Sequence, residues 1–151
     1  MAEERSTGVR STVAIGGHPI HPMLVPFPIA FLVGALATDL TYTALSDPFW
    51  ARASLWLVAA GLTTGAAAAV VGLIEFSTIK RARGPTGKAH FIGNAVVLVL
   101  AAISLLLRIR NAETAVIPVG LVLSFLTSGV LLMTGWLGGE LAYRLKIGVG
   151  E

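Results

Sequence analysis

The chain alternates four long apolar segments with short polar connections. Each segment is close to the roughly 20 residues that an α-helix needs to cross the hydrocarbon core of a membrane. The segments comprise residues 22 or 29 to 45, 53–79, 89–107 and 115–137. Because the backbone has no water partner in lipid, we interpret all four as α-helices. Their connections are short, so the pattern predicts an all-α, membrane-embedded four-helix bundle with antiparallel neighbouring helices.

The composition agrees with a membrane protein. Hydrophobic residues make up 55% of the chain and charged residues only 13%, whereas a soluble domain carries about 25% charged residues. The net charge of +3 fits basic residues at a cytoplasmic membrane edge, and we expect no nucleic-acid partner. The absence of cysteine excludes disulfides and thiolate-held iron–sulfur clusters. No P-loop, dinucleotide fingerprint or Ser-His-Asp arrangement occurs, so the sequence assigns no enzyme activity.

Lysine and arginine are distributed unequally between the two predicted sides of the membrane. Eight lie on the side of both termini and three on the other. The first group is Arg5, Arg10, Lys80, Arg81, Arg83, Lys88, Arg144 and Lys146, and the second is Arg52, Arg108 and Arg110. This excess predicts cytoplasmic N- and C-termini. We divide the chain into a flexible cytoplasmic tail over 1–15, a transmembrane domain over 16–147 and a C-terminal tail over 148–151.

A segment rich in proline and histidine precedes the first apolar helix. Residues 18–28 read HPIHPMLVPFP and contain two of the three histidines and four of the seven prolines. Proline fixes its own φ and disfavours helical backbone in the residue before it. His18 and His21 each precede a proline, so we expect both on extended or turning backbone that holds their imidazoles in place.

Small and polar residues mark the inward faces of the second and third helices. They recur at steps of three and four, and small residues let helix backbones approach closely in lipid. The sets are Gly61, Gly65, Ala68, Gly72 and Glu75, and then His90, Asn94, Val97, Ala101 and Ser104. Glu75 and His90 should therefore point into the bundle. The stripe of small residues on the second helix would suit a homo-oligomer equally well.

This topology gathers ionisable side chains at one depth on the cytoplasmic side. They are His18, His21, Glu75, His90 and Glu140. Such groups are costly in or near a membrane and therefore indicate a functional site. The first and third helices begin with histidine and the second and fourth end with glutamate, a weak internal echo that predicts two helix pairs related by a pseudo-twofold axis. Asp39 lies toward the other side, where we expect Tyr42 and Thr43 to satisfy it.

Three chemistries suit this cluster. Imidazoles of His18, His21 and His90 can bind haem b for electron transfer. Together with Glu75 and Glu140, the histidines can instead hold a divalent transition-metal ion. The same groups can relay protons in a small proton or ion transporter. The fourth interpretation is an accessory or structural membrane subunit without a cofactor, whose histidines only order the segment before the first helix.

The motifs resemble those of a known family, the DUF2231 predicted membrane proteins. The resemblance rests on residues 17–29, residues 72–76 (GLIEF), His90 with Asn94, and residues 138–144 (GGELAYR), and it covers about 16–150. It implies an integral protein of a prokaryotic inner membrane, surrounded by lipid bilayer. Some relatives are similar but carry a Rieske-type iron–sulfur domain. This implies a redox role for the haem or metal and a redox protein partner.

Overall fold

A computed structural model describes residues 8–149 of this 151-residue chain. Its helices confirm the predicted all-α bundle. The four candidate membrane spans are Ile20–Leu45, Pro48–Thr78, Pro85–Arg108 and Ala112–Arg144. Large apolar side chains remain on the outside of the bundle, including Leu132, which is 76% exposed. Such a surface suits lipid rather than water, so this is a membrane protein.

The spans are built from these elements. Strands β1 (Ala14–Ile15) and β2 (His18–Pro19) form an antiparallel hairpin before the first span. The first span comprises α1 (Ile20–Leu24) and α2 (Pro26–Leu45), and the second is α3 (Pro48–Thr78). A 3₁₀ turn (Lys80–Arg83) leads to the third span, α4 (Pro85–Arg108). The fourth contains α5 (Ala112–Ala115), a π turn (Val116–Gly120), α6 (Leu121–Gly139) and a second π turn (Glu140–Arg144).

Proline starts three of the long helices. Pro26, Pro48 and Pro85 occupy the first helical position of α2, α3 and α4. The missing N–H costs nothing there, because the first N–H groups of a helix have no partner within it. The side chain of Asp47 additionally accepts a hydrogen bond from the N–H of Phe49 at 2.9 Å and caps α3.

The backbone of His21 differs from the prediction. His18 is extended, in β2, as expected, but His21 lies inside helix α1. The prediction for His21 was wrong because Pro22 falls in the first turn of α1, where proline is tolerated and its restriction on the preceding residue did not prevent a helix. A helical turn, rather than extended backbone, therefore aims this imidazole.

The core is thin and built on close helix contacts. Its central cluster contains Leu32, Val97, Ala101 and Leu131. A Cβ atom on Gly61 would lie 2.6 Å from Cγ of Leu32, so α2 and α3 approach to a distance that only glycine permits at this point. This agrees with the small-residue face predicted for the second helix.

Both ends of the described chain meet at one end of the bundle. Val9 and Ile147 form a parallel bridge, and the N–H of Gly148 donates to the carbonyl oxygen of Val9 at 2.7 Å. We call this the terminal end and the end near residues 45–48 and 109–112 the opposite end. Residues 1–7 and 150–151, parts of the two predicted tails, lie outside the described residues, and the division into tails and domain stays a prediction.

Candidate functional site

Two histidines from different spans face each other at the terminal end. The ring centres of His21, on α1, and His90, on α4, are 6.5 Å apart, and the ring planes meet at 80°. Both side chains are half-buried. The sequence placed these two imidazoles in one inward-facing pocket, and the structure brings them together.

Backbone carbonyl groups fix the orientation of both rings. Nδ1 of His21 lies 3.0 Å from the carbonyl oxygen of Ala68, and Nδ1 of His90 lies 2.9 Å from that of Thr134. A carbonyl oxygen can only accept, so each Nδ1 carries the proton and each Nε2 keeps a lone pair in the neutral ring. Asn94 Nδ2 lies 3.2 Å from Nε2 of His90 and donates to the His90 carbonyl oxygen at 2.8 Å.

A glycine lies beneath each imidazole. A Cβ atom on Gly72 of α3 would lie 2.9 Å from Cε1 of His21, and one on Gly138 of α6 would lie 3.3 Å from Cε1 of His90. In each case the glycine stands four residues after the residue whose carbonyl oxygen binds the ring (72 − 68 and 138 − 134). The two histidines thus dock on neighbouring helices through the same pair of contacts.

The other three predicted site residues point elsewhere. His18 is exposed on the β-hairpin. Glu75 is half-buried and accepts a hydrogen bond from the hydroxyl of Ser11. Glu140 pairs with Arg144 one turn later, at 2.8 Å. Within residues 8–149, no three or more histidine, aspartate or glutamate side chains form a group that could hold a metal ion. Among the five predicted residues in this part of the chain, His21 and His90 are the two whose side chains the structure shows next to each other.

A buried ion pair at the opposite end was not predicted. Nη1 and Nη2 of Arg108 donate to the two carboxylate oxygens of Asp39 at 2.9 and 2.7 Å, and both side chains are completely buried. The interpretation of Arg108 as a loop charge was therefore wrong. Asp39 is satisfied, as expected, but its carboxylate is satisfied by Arg108 and not by Tyr42 or Thr43; Thr43 only donates to the Asp39 carbonyl oxygen.

Serine hydroxyls complete this pair. Ser54 and Ser124 each donate to the carboxylate of Asp39 at 2.6 Å. Nε of Arg108 donates to the hydroxyl of Ser104 at 3.0 Å. The bidentate geometry and the added hydroxyls are what a charged pair needs in a water-free interior. In the sequence, one signal pointed to this site: the small and polar face predicted for the third helix contains Ser104.

The two halves of the bundle repeat these contacts. An offset of 69 residues (90 − 21) converts His21 to His90 and Asp39 to Arg108. It also converts the other buried positions of α2 to buried positions of α4, namely Pro28 to Val97, Leu32 to Ala101 and Ala35 to Ser104. An offset of 66 (134 − 68) relates four buried positions of α3 to buried positions of the fourth span, converting Ser54, Val58, Gly61 and Ala68 to Gly120, Ser124, Thr127 and Thr134. The remaining buried position of α3, Ala51, corresponds to the exposed Ile117. Each polar pair therefore joins equivalent positions.

Comparison with known families gives a match over most of the chain. A family model described as Predicted membrane protein (DUF2231) matches residues 17–151. The chain belongs to the DUF2231 family. The match includes both histidines of the pair and both residues of the ion pair. No curated protein and no solved structure matches this DUF2231 chain.

Proposed function

We propose that this DUF2231 chain is a membrane-embedded electron-transfer protein that holds haem b between His21 and His90. One observation carries the proposal. Imidazoles from two separate spans face each other with ring centres 6.5 Å apart, and each ring is oriented by a backbone carbonyl group through Nδ1. Metal-binding histidines are commonly oriented in this way, because the Nδ1–H bond leaves Nε2 as the ligand.

The separation of the rings fits a metal between two imidazoles. With metal–nitrogen bonds of about 2.0 Å and imidazoles in line, the ring centres lie roughly 6 Å apart. A bare zinc-like ion takes at least three protein ligands, whereas the described residues offer no such group of three. Haem iron takes its four equatorial ligands from the porphyrin, and two histidines suffice for it. When bound, haem supplies one-electron redox chemistry.

The residues around His90 leave its Nε2 available for this role. The amide of Asn94 contacts Nε2 at 3.2 Å, but it also donates to the His90 carbonyl oxygen at the shorter distance of 2.8 Å. Asn94 therefore keeps a hydrogen-bond partner when Nε2 binds a metal. The carbonyl oxygens of Ala68 and Thr134 accept from the two Nδ1–H groups. With this hydrogen bond kept, both histidines would act as neutral ligands through Nε2.

The proposal includes an orientation. With Arg108 inside the bundle, only Arg52 and Arg110 remain of the three basic residues assigned to the opposite end. The excess of eight basic residues over two supports a cytoplasmic location of the terminal end, and with it of His21 and His90. We propose that the membrane is the inner membrane of a prokaryotic cell. A soluble redox protein on that side would exchange electrons with the site.

An absorption spectrum tests the proposal. We expect protein expressed with added haem and purified in detergent to show a Soret band. His21→Ala and His90→Ala should each reduce haem per chain at least tenfold, because each removes one of the two side chains that would hold it. His18→Ala is the matched control, since His18 is exposed on the hairpin, and it should retain the band.

Two further measurements separate the outcomes. Circular dichroism of each variant establishes that the helices remain, so that loss of haem is not loss of fold. Metal analysis of the same wild-type sample identifies a bare ion. A wild-type protein without a Soret band, or variants of both histidines that keep it, would refute the haem proposal.

A further inference from the structure

A groove of about 580 Å³ lies at the terminal end, between the N-terminal segment and the residues that follow α3. Its lining contains three basic side chains, Arg10, Lys80 and Arg81, and two hydroxyl groups, Thr12 and Thr78. No carboxylate is present among the described residues that line it. We call this the basic groove.

Specific contacts hold the walls of the basic groove together. The hydroxyl groups of Thr12 and Thr78 lie 2.7 Å apart, and next to them the Ser11 hydroxyl donates to the carboxylate of Glu75. The N–H of Val9 donates to the carbonyl oxygen of Lys146 at 2.9 Å. The segment that carries Arg10 is therefore tied to α3 on one side and to the C-terminal segment on the other.

This construction gathers like charges. Arg10 comes from the N-terminal segment, whereas Lys80 and Arg81 come from the turn after α3. Arg81 already donates to the carbonyl oxygen of Leu145 at 3.2 Å, whereas Arg10 and Lys80 are exposed. As positive groups on the walls of one groove, Arg10 and Lys80 repel each other. An anion in the groove would offset that repulsion. Guanidinium groups pair bidentately with phosphate, and a lysine ammonium group supplies further donors.

The position of the groove indicates where the phosphate comes from. The second membrane span ends at Thr78, a residue of the groove, and Lys80 follows two residues later. Lipid headgroups lie at the ends of membrane-spanning helices, and basic pockets at this depth bind their phosphates. We infer that the basic groove binds the phosphate of an anionic phospholipid headgroup. This inference does not depend on haem at the histidine pair.

Lipid binding to purified protein tests the inference. Native mass spectrometry of the full chain in detergent would measure the affinity for phosphatidylglycerol, phosphatidylcholine and inorganic phosphate. We expect tighter binding of phosphatidylglycerol than of phosphatidylcholine. Arg10→Gln and Lys80→Gln should each weaken it about fivefold, since each basic residue near the surface contributes about that factor, and the double variant should weaken it more than tenfold.

Lys88 provides the matched control. It is exposed at the same end, on the first turn of α4, and does not line the basic groove. Lys88→Gln should change the affinity less than twofold. Binding of inorganic phosphate that competes with the lipid would support the phosphate site and identify a soluble source. Equal binding of phosphatidylcholine, wild-type affinity in the double variant, or an equal loss in Lys88→Gln would overturn the inference.

Discussion

The charge of Arg108 is tolerated inside the bundle because its N–H groups and its counter-ion, Asp39, have hydrogen-bond partners. Its guanidinium group pairs with both oxygens of Asp39, and hydroxyl groups fill further positions around them. Taking two charges out of water is expensive, so the pair is not a source of stability in itself. The pair matters for stability when one partner is lost, because the remaining charge would then be buried without compensation.

We predict that Asp39→Asn lowers the free energy of unfolding by about 3 kcal/mol or more, because it leaves the buried Arg108 charge uncompensated. Replacing both residues, as Asp39→Leu with Arg108→Met, should cost less than Asp39→Asn alone. Chemical unfolding in detergent, followed by tryptophan fluorescence, measures both. Glu113→Gln removes an exposed acid near the same end and should stay within about 0.5 kcal/mol of wild type. Wild-type stability of Asp39→Asn would contradict the prediction.

The sequence could identify Asp39 as a costly residue but not name its partner. Arg108 ends an apolar run, where a basic residue usually extends to the membrane surface. The two residues are 69 positions apart (108 − 39), and no local pattern links them. His21 and His90 were easier to bring together, because each begins a predicted span on the same side of the membrane, and His90 also lies on a helix face with small or polar neighbours.

Helix α3 packs against α1 through Gly72, and this contact has a measurable consequence. A Cβ atom at Gly72 would lie 2.9 Å from the ring of His21, so Gly72→Ala should displace the ring from the carbonyl oxygen of Ala68. We expect a loss of about 1–3 kcal/mol, typical of overpacking. Gly135→Ala is the control, since that position in α6 meets nothing within 4 Å and alanine favours a helix.

Thermal unfolding of the two glycine variants in the same detergent gives the comparison. The melting temperature of Gly72→Ala should fall, whereas that of Gly135→Ala should stay the same or rise. If both variants had the same melting temperature, the contact between Gly72 and His21 would not contribute to the packing of α1 on α3.

The sequence was informative about which helices exist and less so about where they end. Apolar runs predicted all four spans, because only helices satisfy the backbone in lipid. The second and third helices nevertheless begin earlier than predicted, at Pro48 and Pro85 instead of residues 53 and 89. The first turn of α4 is polar (residues 85–88, PTGK), and Arg52 interrupts the apolar run at the start of α3, so hydropathy does not detect either start. A proline at the first helical position marks both.

At the scale of the whole molecule, one polar pair lies at each end of the apolar core: the histidine pair at the terminal end and the ion pair at the opposite end. His90 and Arg108 are 18 residues apart on the unbroken helix α4 (108 − 90), which corresponds to about 27 Å. That distance is close to the roughly 30 Å thickness of the hydrocarbon core. The histidine pair and the ion pair are therefore separated by nearly the thickness of the hydrocarbon core, and each joins equivalent positions of the two halves.

Because of this symmetry, we expect that the two residues of the ion pair can exchange positions. Because Asp39 and Arg108 occupy equivalent positions, the variant Asp39→Arg with Arg108→Asp should place each charge in a similar environment. Hydroxyl groups both donate and accept, so Ser54, Ser104 and Ser124 can serve either arrangement. Each single reversal places two like charges together in the interior and should cost at least as much as breaking the pair, about 3–5 kcal/mol.

The double variant should recover more than half of the loss caused by either single reversal, measured by chemical unfolding in detergent. Such recovery implies a large coupling energy, which is the change in the double variant minus the sum of the changes in the two single variants, as expected for residues in contact. Reversal of Arg52, an exposed residue of α3, is the control and should show no coupling to Asp39→Arg. A double variant no more stable than either single reversal would mean that the two halves surround their polar pair differently, despite the repeated pattern of buried positions.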